Sequence, residues 1–237
     1  MHKGKFIMVD GLTGSGKSTI MNAVHAWALN CGHRIWRLQD WKEPAPPRFE
    51  YIQDYDVYFT YEPTRSWVGS AIRYELSRDD EPYGGEELAH AFALDREIMY
   101  RRLVVPALNA GKTIIQDRGV GSSLVYQPAM KNSVSLETVL ALPGNRLALE
   151  YAPNALILTK LDAEVAMERI RARSDDSKGV FADLNFIKTQ GERFASSWLR
   201  ALFQSHGTTV HDLDTAGTLE ETQKRATDLI NSTLITC

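Results

Sequence analysis

The apolar residues of this chain fall into two alternating patterns: short continuous runs, and longer stretches in which they recur every three or four positions. The runs have the length and composition of buried β-strands. There are six of them, at residues 6–9, 33–38, 57–61, 112–116, 155–159 and 208–213. Strands that alternate with helices are typical of a parallel sheet covered by helices on both faces. The pattern therefore predicts a three-layer α/β protein.

Helical spacing covers most of the chain between these runs. It predicts helices at residues 19–29, 66–76, 86–110, 122–130, 136–142, 146–151, 163–173, 184–203 and 219–234. Pro106 should kink or cut the third of these helices, because proline cannot donate the backbone hydrogen bond of a helix interior. Residues 41–55 fit neither pattern, since three prolines stand among aromatic and charged residues. This composition indicates an ordered insertion on the surface.

The first apolar run leads into Gly-Leu-Thr-Gly-Ser-Gly-Lys-Ser at residues 11–18, the complete pattern of a phosphate-binding P-loop. Glycines let the backbone wrap around a polyphosphate, Lys17 reaches the β- and γ-phosphates, and Ser18 offers a hydroxyl to Mg²⁺. The alternative is a glycine-rich turn that binds nothing. We expect a nucleoside triphosphate with Mg²⁺, contacted by Gly11, Leu12, Thr13, Gly14, Ser15, Gly16, Lys17, Ser18 and Thr19.

Composition narrows the possible partners. The 237 residues suit one α/β domain, and the net charge of -3 creates no basic field that would attract nucleic acid or an anionic membrane. No apolar run approaches the roughly 20 residues needed to span a bilayer. Cys31 and Cys237 have the spacing of neither a disulfide framework nor a zinc site. We therefore expect free thiols, a reducing compartment, and a cytoplasmic protein that acts on small molecules.

Charged residues directly follow two of the predicted strands. Glu-Pro-Thr at residues 62–64 ends the third run, and Asp-Arg at residues 117–118 ends the fourth. Open parallel sheets bind their ligands at this edge. A phosphate monoester that accepts a phosphoryl group carries about two negative charges, so arginine is needed to hold it near a second anion. Arg118 is placed for this role, with a surface salt bridge as the alternative, and Arg65 and Arg73 are further candidates.

Three motifs follow the P-loop in order: Glu-Pro-Thr at residues 62–64, Ala-Phe-Ala-Leu-Asp-Arg at residues 91–96, and Asp117-Arg118 followed by Ser122 and Tyr126-Gln127. Together they resemble the thymidylate kinase family of P-loop kinases, which transfer the γ-phosphate of ATP to dTMP. The resemblance covers nearly the whole chain except residues 41–55. It implies one P-loop kinase domain over residues 1–237, a five-stranded parallel sheet, a lid at about residues 174–182, and a homodimer.

The resemblance also implies roles in acceptor binding. Phe92 and Arg96 lie four residues apart on one helix face, where they would stack on thymine and donate to its exocyclic oxygen. The alternative is core packing for Phe92 and a solvated charge for Arg96. Arg118 would hold the monophosphate, and Tyr126 would crowd the sugar and disfavour a 2'-hydroxyl. The remaining acceptor contacts, for which helix capping and solvation are the alternative, would be Ser122, Ser123 and Gln127.

Acidic residues and the lid complete the expected site. Asp117 is expected near Mg²⁺ or the P-loop, Glu62 near water or magnesium, and Asp10 beside the acceptor unless it pairs with Lys17 or a backbone amide. No dedicated general base is expected, because phosphoryl transfer depends mainly on positioning and charge neutralisation. The lid would supply its positive charge through Lys178, where the family usually has arginine, unless Lys178 is only a surface lysine. The expected catalytic residues are Lys17, Asp117, Arg118 and Lys178, with Arg171, Arg173 and Arg193 near the lid.

Two positions depart from the family's pattern. Thr13 stands where a carboxylate usually contacts the acceptor's 3'-hydroxyl, and Gly119 replaces an aromatic residue or histidine, which should enlarge the acceptor pocket. The sequence favours transfer of the γ-phosphate of ATP to dTMP, giving dTDP and ADP. A related deoxynucleotide such as a 5-substituted dUMP is an alternative acceptor. The other hypotheses are a deoxynucleoside kinase with Glu62 as its base and a P-loop binding module without turnover.

Overall fold

A parallel sheet forms the centre of the molecule. The computed structural model describes residues 3–78, 83–130, 132–172 and 183–233. Within these ranges the sheet has six strands: β1 (Lys5–Asp10), β2 (Ile35–Arg37), β3 (Val57–Tyr61), β4 (Thr113–Asp117), β5 (Ala155–Lys160) and β6 (Thr209–Asp214). Their order is β2-β3-β4-β1-β5-β6, and every neighbouring pair is parallel. The predicted α/β fold is confirmed.

The sheet has one strand more than the five that were expected. The short strand β2 lies at one edge, where it pairs with β3. Its central residue, Trp36, is buried, and Phe49 and Ile52 from the following segment join the same hydrophobic cluster. This segment is further fixed by Tyr58, whose Oη donates to the carbonyl oxygen of Ile52 at 2.6 Å. Residues 41–55 thus cover one face of the edge strand β2. The six strands correspond to the six apolar runs of the sequence, so the number five, which the family resemblance implied, was wrong.

Helices flank the sheet on both faces. Those in the described part of the chain are α1 (Lys17–Asn30), α2 (Trp67–Ala71), α3 (Gly85–Met99), α4 (Val105–Asn109), α5 (Val120–Tyr126), α6 (Leu136–Ala141), α7 (Pro143–Glu150), α8 (Ala163–Arg171), α9 (Leu184–Ala195), α10 (Ser197–Ser205) and α11 (Leu219–Thr233). Helices α1 and α11 pack together over one face. The opposite face is covered mainly by α3, α4, α5, α7, α9 and α10.

Two predicted helices are divided in the structure. Residues 86–110 form α3 and α4 with a π-helical turn, Tyr100–Val104, between them. The wider turn lies directly before Pro106, whose missing N–H removes one helical hydrogen bond, so proline alters the helix without ending it. Residues 184–203 are broken at Ser196, whose backbone is extended.

Two further observations concern the chain as a whole. Cys31, directly after α1, is disulfide-bonded, so the expectation of a free thiol was wrong for this residue, whereas Cys237 lies outside the described residues. No helix in the described ranges is both long enough and apolar enough to cross a membrane.

The parallel register decides which side of the sheet each polar strand end faces. Val9 and Asp117 pair across β1 and β4, and Val9 packs in the cluster under α1. Residues that pair in this way point to the same face, so Asp117 lies on the α1 side. Met8 and Gln116 form the preceding pair and face the α3 and α5 side. Asp10 lies two residues after Met8 on β1 and therefore faces that second side as well.

Candidate active site

The P-loop connects β1 to α1 through a backbone that glycine adopts most easily. Gly11 and Gly14 have φ angles of 141° and 80°. A Cβ atom at Gly14 would lie 2.6 Å from the carbonyl oxygen of Ala166, and one at Gly11 would collide with Thr159. Positive φ and close approach together explain glycine at both positions. The loop is thereby fixed against β5 and α8.

Lys17 is the first residue of α1, and its side chain turns back into the loop. Its Nζ donates to the carbonyl oxygens of Gly11 at 3.1 Å and Leu12 at 2.5 Å. Ser15 Oγ donates to the same Leu12 oxygen at 2.7 Å. The ammonium group is buried at the N-terminus of a helix of 14 residues. A cation and a helix N-terminus at one point form a site for anions such as phosphate.

Ser18 and Asp117 line one cavity of about 140 Å³ between α1 and the ends of β3 and β4. Asp117 Oδ1 is buried there and makes no hydrogen bond to any residue in the described ranges. A buried carboxylate oxygen without a partner is unfavourable unless something binds it. Hydroxyl and carboxylate oxygens are ligands that Mg²⁺ prefers. The two residues therefore fit the metal that a P-loop implies.

Arg118 lies directly against the P-loop on the other side of β1. Its Nη1 donates to Gly11 O at 3.4 Å and to Ser122 Oγ at 3.2 Å, and its Nη2 donates to Thr13 Oγ1 at 3.3 Å. The backbone at Arg118 is left-handed, with φ of 65°, and its N–H donates to Val9 O at 2.8 Å. A non-glycine residue in this conformation is strained and is held there by its surroundings. The fixed guanidinium group is suited to holding an acceptor phosphate close to the loop.

Asp10 lies beneath this arginine at the end of β1. Its Oδ1 accepts hydrogen bonds from the Gly11 N–H at 2.8 Å and from Ser122 Oγ at 2.7 Å. Burial raises the pKa of Asp10, although Arg118 and Lys17 oppose the shift. Of the alternatives for Asp10, the structure contains the bond to a backbone amide. The carboxylate links the first glycine of the loop to the serine that contacts Arg118.

Arg96 is completely buried on α3 and bonded to Glu62. Its Nε and Nη2 donate to Glu62 Oε2 at 2.8 and 2.6 Å, and Nη2 also donates to Ser123 Oγ at 2.9 Å. Its Nη1 donates to Asn145 Oδ1. Burial raises the pKa of Glu62 to about 7, although Arg96 opposes the shift. The alternative of a solvated Arg96 is wrong, because the residue is 1% exposed.

Comparison with known proteins identifies the family. The sequence matches the model for thymidylate kinase over residues 50–225. A relative described as a probable thymidylate kinase, from Thermococcus kodakarensis, is 32% identical over 180 residues, covering 73% of this chain and 74% of the relative. A second, from Thermococcus onnurineus, is 32% identical over 176 residues, covering 71% and 72%. This chain belongs to the thymidylate kinase family.

The family match begins after the P-loop, which occupies residues 11–18. For the P-loop of this member of the thymidylate kinase family, phosphate binding is therefore inferred from the geometry of the loop itself. Thr13 of the loop is engaged on both sides. Its N–H donates to Tyr126 Oη at 3.2 Å, and its hydroxyl accepts from Arg118. The Arg118 guanidinium lies 5.7 Å from the centroid of the Tyr126 ring.

The polar residues of α5 and the turn after it are buried. Ser123 and Gln127 are 3% and 2% exposed, so solvation does not account for them. Gln127 Nε2 donates to Ser123 Oγ at 3.3 Å, and its Oε1 has no hydrogen-bond partner among the described residues. Phe92 is half-buried and does not belong to the hydrophobic clusters of the described chain. Its ring is therefore partly exposed.

The two arginines near the Glu-Pro-Thr turn differ in their surroundings. Arg73 donates through Nε to the carbonyl oxygens of Pro63 at 3.1 Å and Thr64 at 3.0 Å, so it stabilises the turn. Arg65 is exposed. Asp95 holds the same turn from α3, because it accepts from the N–H and the hydroxyl of Thr64, both at 2.7 Å. The structure thus brings Arg118 to the P-loop and leaves Arg73 with a structural contact.

Gly119 does not enlarge the acceptor pocket, as the sequence comparison had suggested. A Cβ atom here would lie 2.6 Å from Met8 Sδ and 3.1 Å from Gln116 Nε2. Met8 is completely buried. The space beside Gly119 is therefore already filled by the side chain of β1, and the expectation of a larger pocket was wrong.

The predicted lid, residues 174–182 with Lys178, and the nearby Arg173 lie outside the described residues. Arg193 follows the predicted lid and is bonded to the end of α5, where its Nε and Nη2 donate to the carbonyl oxygens of Val125 at 3.0 Å and Leu124 at 2.9 Å. Arg171 is exposed. The lid charge therefore stays a prediction for Lys178.

Three residues near the site were not found from the sequence. Asn145 bonds Arg96, Gln116 Nε2 donates to Glu62 Oε1 at 3.1 Å, and Arg169 Nη2 donates to Thr215 O at 2.9 Å beside Gly16. None of them belongs to a motif of its own. The sequence features that could have pointed to them are local: Gln116 directly precedes Asp-Arg, and Asn145 follows the Pro-Gly pair that begins α7.

Proposed function

We propose that this protein transfers the γ-phosphoryl group of ATP to dTMP with Mg²⁺, giving dTDP and ADP. The observation that carries the proposal is the position of Arg118, whose guanidinium group lies 3.3 to 3.4 Å from oxygens of the P-loop residues Thr13 and Gly11. The P-loop can bind the triphosphate of ATP, and an arginine fixed beside it can bind the phosphate of an acceptor.

Each residue has a role in bringing two anions together. Lys17 and the N-terminus of α1 hold the β- and γ-phosphates, while Arg118 holds the acceptor phosphate. Ser18 and Asp117 would hold Mg²⁺, which when bound supplies positive charge to the phosphates. The reaction then depends on alignment and charge neutralisation, not on a proton-abstracting side chain.

The acceptor's base and sugar have separate contacts in this proposal. The partly open ring of Phe92 stacks on the base, and Arg96 donates to the exocyclic oxygen of thymine. Tyr126, held by Thr13 and Arg118, lies against the sugar and disfavours a 2'-hydroxyl. The family membership of the chain and its relatives' names support a nucleotide kinase.

The structure supports the alternative functions to different degrees. A deoxynucleoside kinase would need Glu62 as a free base, and this carboxylate is already bonded to Arg96 and Gln116. A 5-substituted dUMP as acceptor gains no room at Gly119, and Thr13 lies beside Tyr126, the contact proposed for the sugar. A binding module without turnover requires the same phosphate contacts and differs only in activity.

A coupled ADP-release assay with ATP and Mg²⁺ tests the proposal. The acceptors dTMP, dUMP, dCMP, dGMP, dAMP, UMP and thymidine are offered separately. We expect dTMP to give the highest kcat/KM. Turnover with thymidine alone would contradict the role of Arg118, and absence of turnover with every acceptor would favour the binding module.

We also propose a homodimer. Trp67 and Tyr74 lie on one helical segment and are 50% and 65% exposed. Large aromatic side chains at a surface are typical of interface cores. Light scattering during size-exclusion chromatography should give twice the chain mass of 26.6 kDa, and substitution of Trp67 by glutamate should give the monomer mass.

A further inference from the structure

A buried polar cluster surrounds Arg96 where β3, α3, α5 and α7 meet. We call it the Arg96 cluster, and it consists of Arg96, Glu62, Gln116, Ser123 and Asn145. All five residues are at most 6% exposed. A buried guanidinium group without a counter-charge is unfavourable, and Glu62 supplies that counter-charge.

The hydrogen bonds of Arg96 leave little freedom. A guanidinium group has five N–H donors in a fixed plane. Contacts within the described chain use four of them: Nε–H and one Nη2–H go to Glu62, the other Nη2–H to Ser123, and one Nη1–H to Asn145. A single Nη1–H remains for another partner.

The partners of Arg96 are themselves held in place. Gln116 donates to Glu62 Oε1 at 3.1 Å and accepts from Thr60 Oγ1 at 3.2 Å. Asn145 Nδ2 donates to Val139 O at 2.6 Å. Helix α7 approaches α3 so closely at the preceding glycine that a Cβ atom there would meet a backbone carbonyl of α3. The orientation of the guanidinium plane is therefore set from two sides, by β3 and by α7.

We propose that Glu62 and Asn145 are positioning residues that fix Arg96 so that its one remaining N–H is presented to the base of the acceptor. This rests on the proposed function and assigns Glu62 a role in place of those suggested for it, at magnesium or as a base. A single fixed donor matches a carbonyl oxygen on the base, such as O4 of thymine or uracil. It does not match the amino group of cytosine at the same position, which is itself a donor.

Two substitutions test the proposal from the two sides of the guanidinium plane. Glu62→Gln keeps the shape of the side chain and removes its charge, and Asn145→Ala removes the acceptor at Nη1. Each should raise the KM for dTMP about tenfold, leave the KM for ATP within twofold, and reduce the preference for dTMP over dCMP about tenfold, because one charge-assisted hydrogen bond is weakened or lost. If one variant does not fold, the other gives the same readouts.

The matched control is Glu97→Gln on the same helix, because Glu97 accepts from the exposed Arg101 at 2.8 Å. All three readouts should stay within twofold of the parent protein. A fall in kcat with both KM values and the dTMP preference unchanged would mean that the cluster is only structural and would overturn the proposal. An equal rise in the KM for ATP would also overturn it. Failure of the proposed function is distinguishable, because the parent protein itself would then not phosphorylate dTMP.

Discussion

Replacing Arg118 by lysine separates the charge of this residue from its planar shape. The parent guanidinium contacts Gly11 O, Thr13 Oγ1 and Ser122 Oγ at 3.2 to 3.4 Å, so its plane is fixed before any acceptor binds. A phosphate can then be bonded by two N–H groups at once. Lysine keeps the positive charge but offers only a single point of contact.

The expected loss follows from one charge-assisted hydrogen bond. Such a bond contributes about 1.5–3 kcal/mol, which corresponds to a decrease of roughly 10- to 150-fold in kcat/KM for dTMP. The KM for ATP should change by less than threefold, because Arg118 contacts the P-loop only through the longer bonds to Gly11 and Thr13. Initial rates in the coupled assay, with each substrate varied in turn, measure both effects.

The matched control is Arg73→Lys. Arg73 lies near the same sheet edge, but its guanidinium is bonded to the backbone of the Glu-Pro-Thr turn at 3.0 and 3.1 Å. Its replacement should lower the free energy of unfolding and leave kcat/KM for dTMP within threefold. If Arg118→Lys retained the parent value of kcat/KM for dTMP, or if both variants lost activity equally, the reasoning about the acceptor phosphate would be refuted.

Three other substitutions test separate parts of the structure. Asp117→Asn should raise the Mg²⁺ concentration for half-maximal turnover about tenfold in a titration, since the charge next to Ser18 is lost. Glu62→Gln should flatten the pH dependence of the free energy of unfolding in urea between about pH 4.5 and 7. Burial raises the pKa of Glu62 in the folded parent protein, so the parent loses stability as the pH rises through this range, and glutamine cannot titrate. Gly144→Ala should destabilise the protein by about 1–3 kcal/mol, because the new Cβ would meet Ala93 O.

Each of these has a clear contrary result. An unchanged Mg²⁺ requirement would remove Asp117 from the metal site. Parallel pH profiles for the parent and the Glu62 variant would mean that burial does not raise the pKa of this carboxyl group. For the glycine, Gly191→Ala is the control, because its Cβ would lie 3.6 Å from Leu12 Cδ1 in ordinary contact; equal urea midpoints for the two variants would contradict the clash at Gly144.

Features encoded within a few consecutive residues could be predicted from the sequence. The apolar run of β1 and the glycine pattern after it predict a strand, a loop and a helix, all of which are present. The position of Arg118 at a strand end follows from the same local pattern. The six apolar runs likewise match the six strands of the sheet, whereas the number five came from the family resemblance.

The Arg96 cluster shows what a motif leaves out. The sequence pattern placed Arg96 on a helix face with Phe92, but its partners Glu62 and Asn145 are 34 and 49 residues away along the chain. Whether such an arginine is solvated or buried depends on a carboxylate delivered by another element. Tertiary contacts thus decide the burial and the orientation of Arg96, which the sequence shows only as an arginine on a helix face.

The sequence also could not show how much space lies beside Gly119, and this changes the argument about the acceptor. From the sequence alone, a glycine where the family has an aromatic residue indicates an empty space. In the folded chain that space is occupied by Met8, which comes from β1, more than 100 positions earlier. A larger 5-substituent on the base therefore gains no room here. The remaining departure, Thr13, lies next to Tyr126 Oη at 3.3 Å and so bears on the sugar. Any altered preference of this protein should accordingly appear at the sugar and not at C5 of the base.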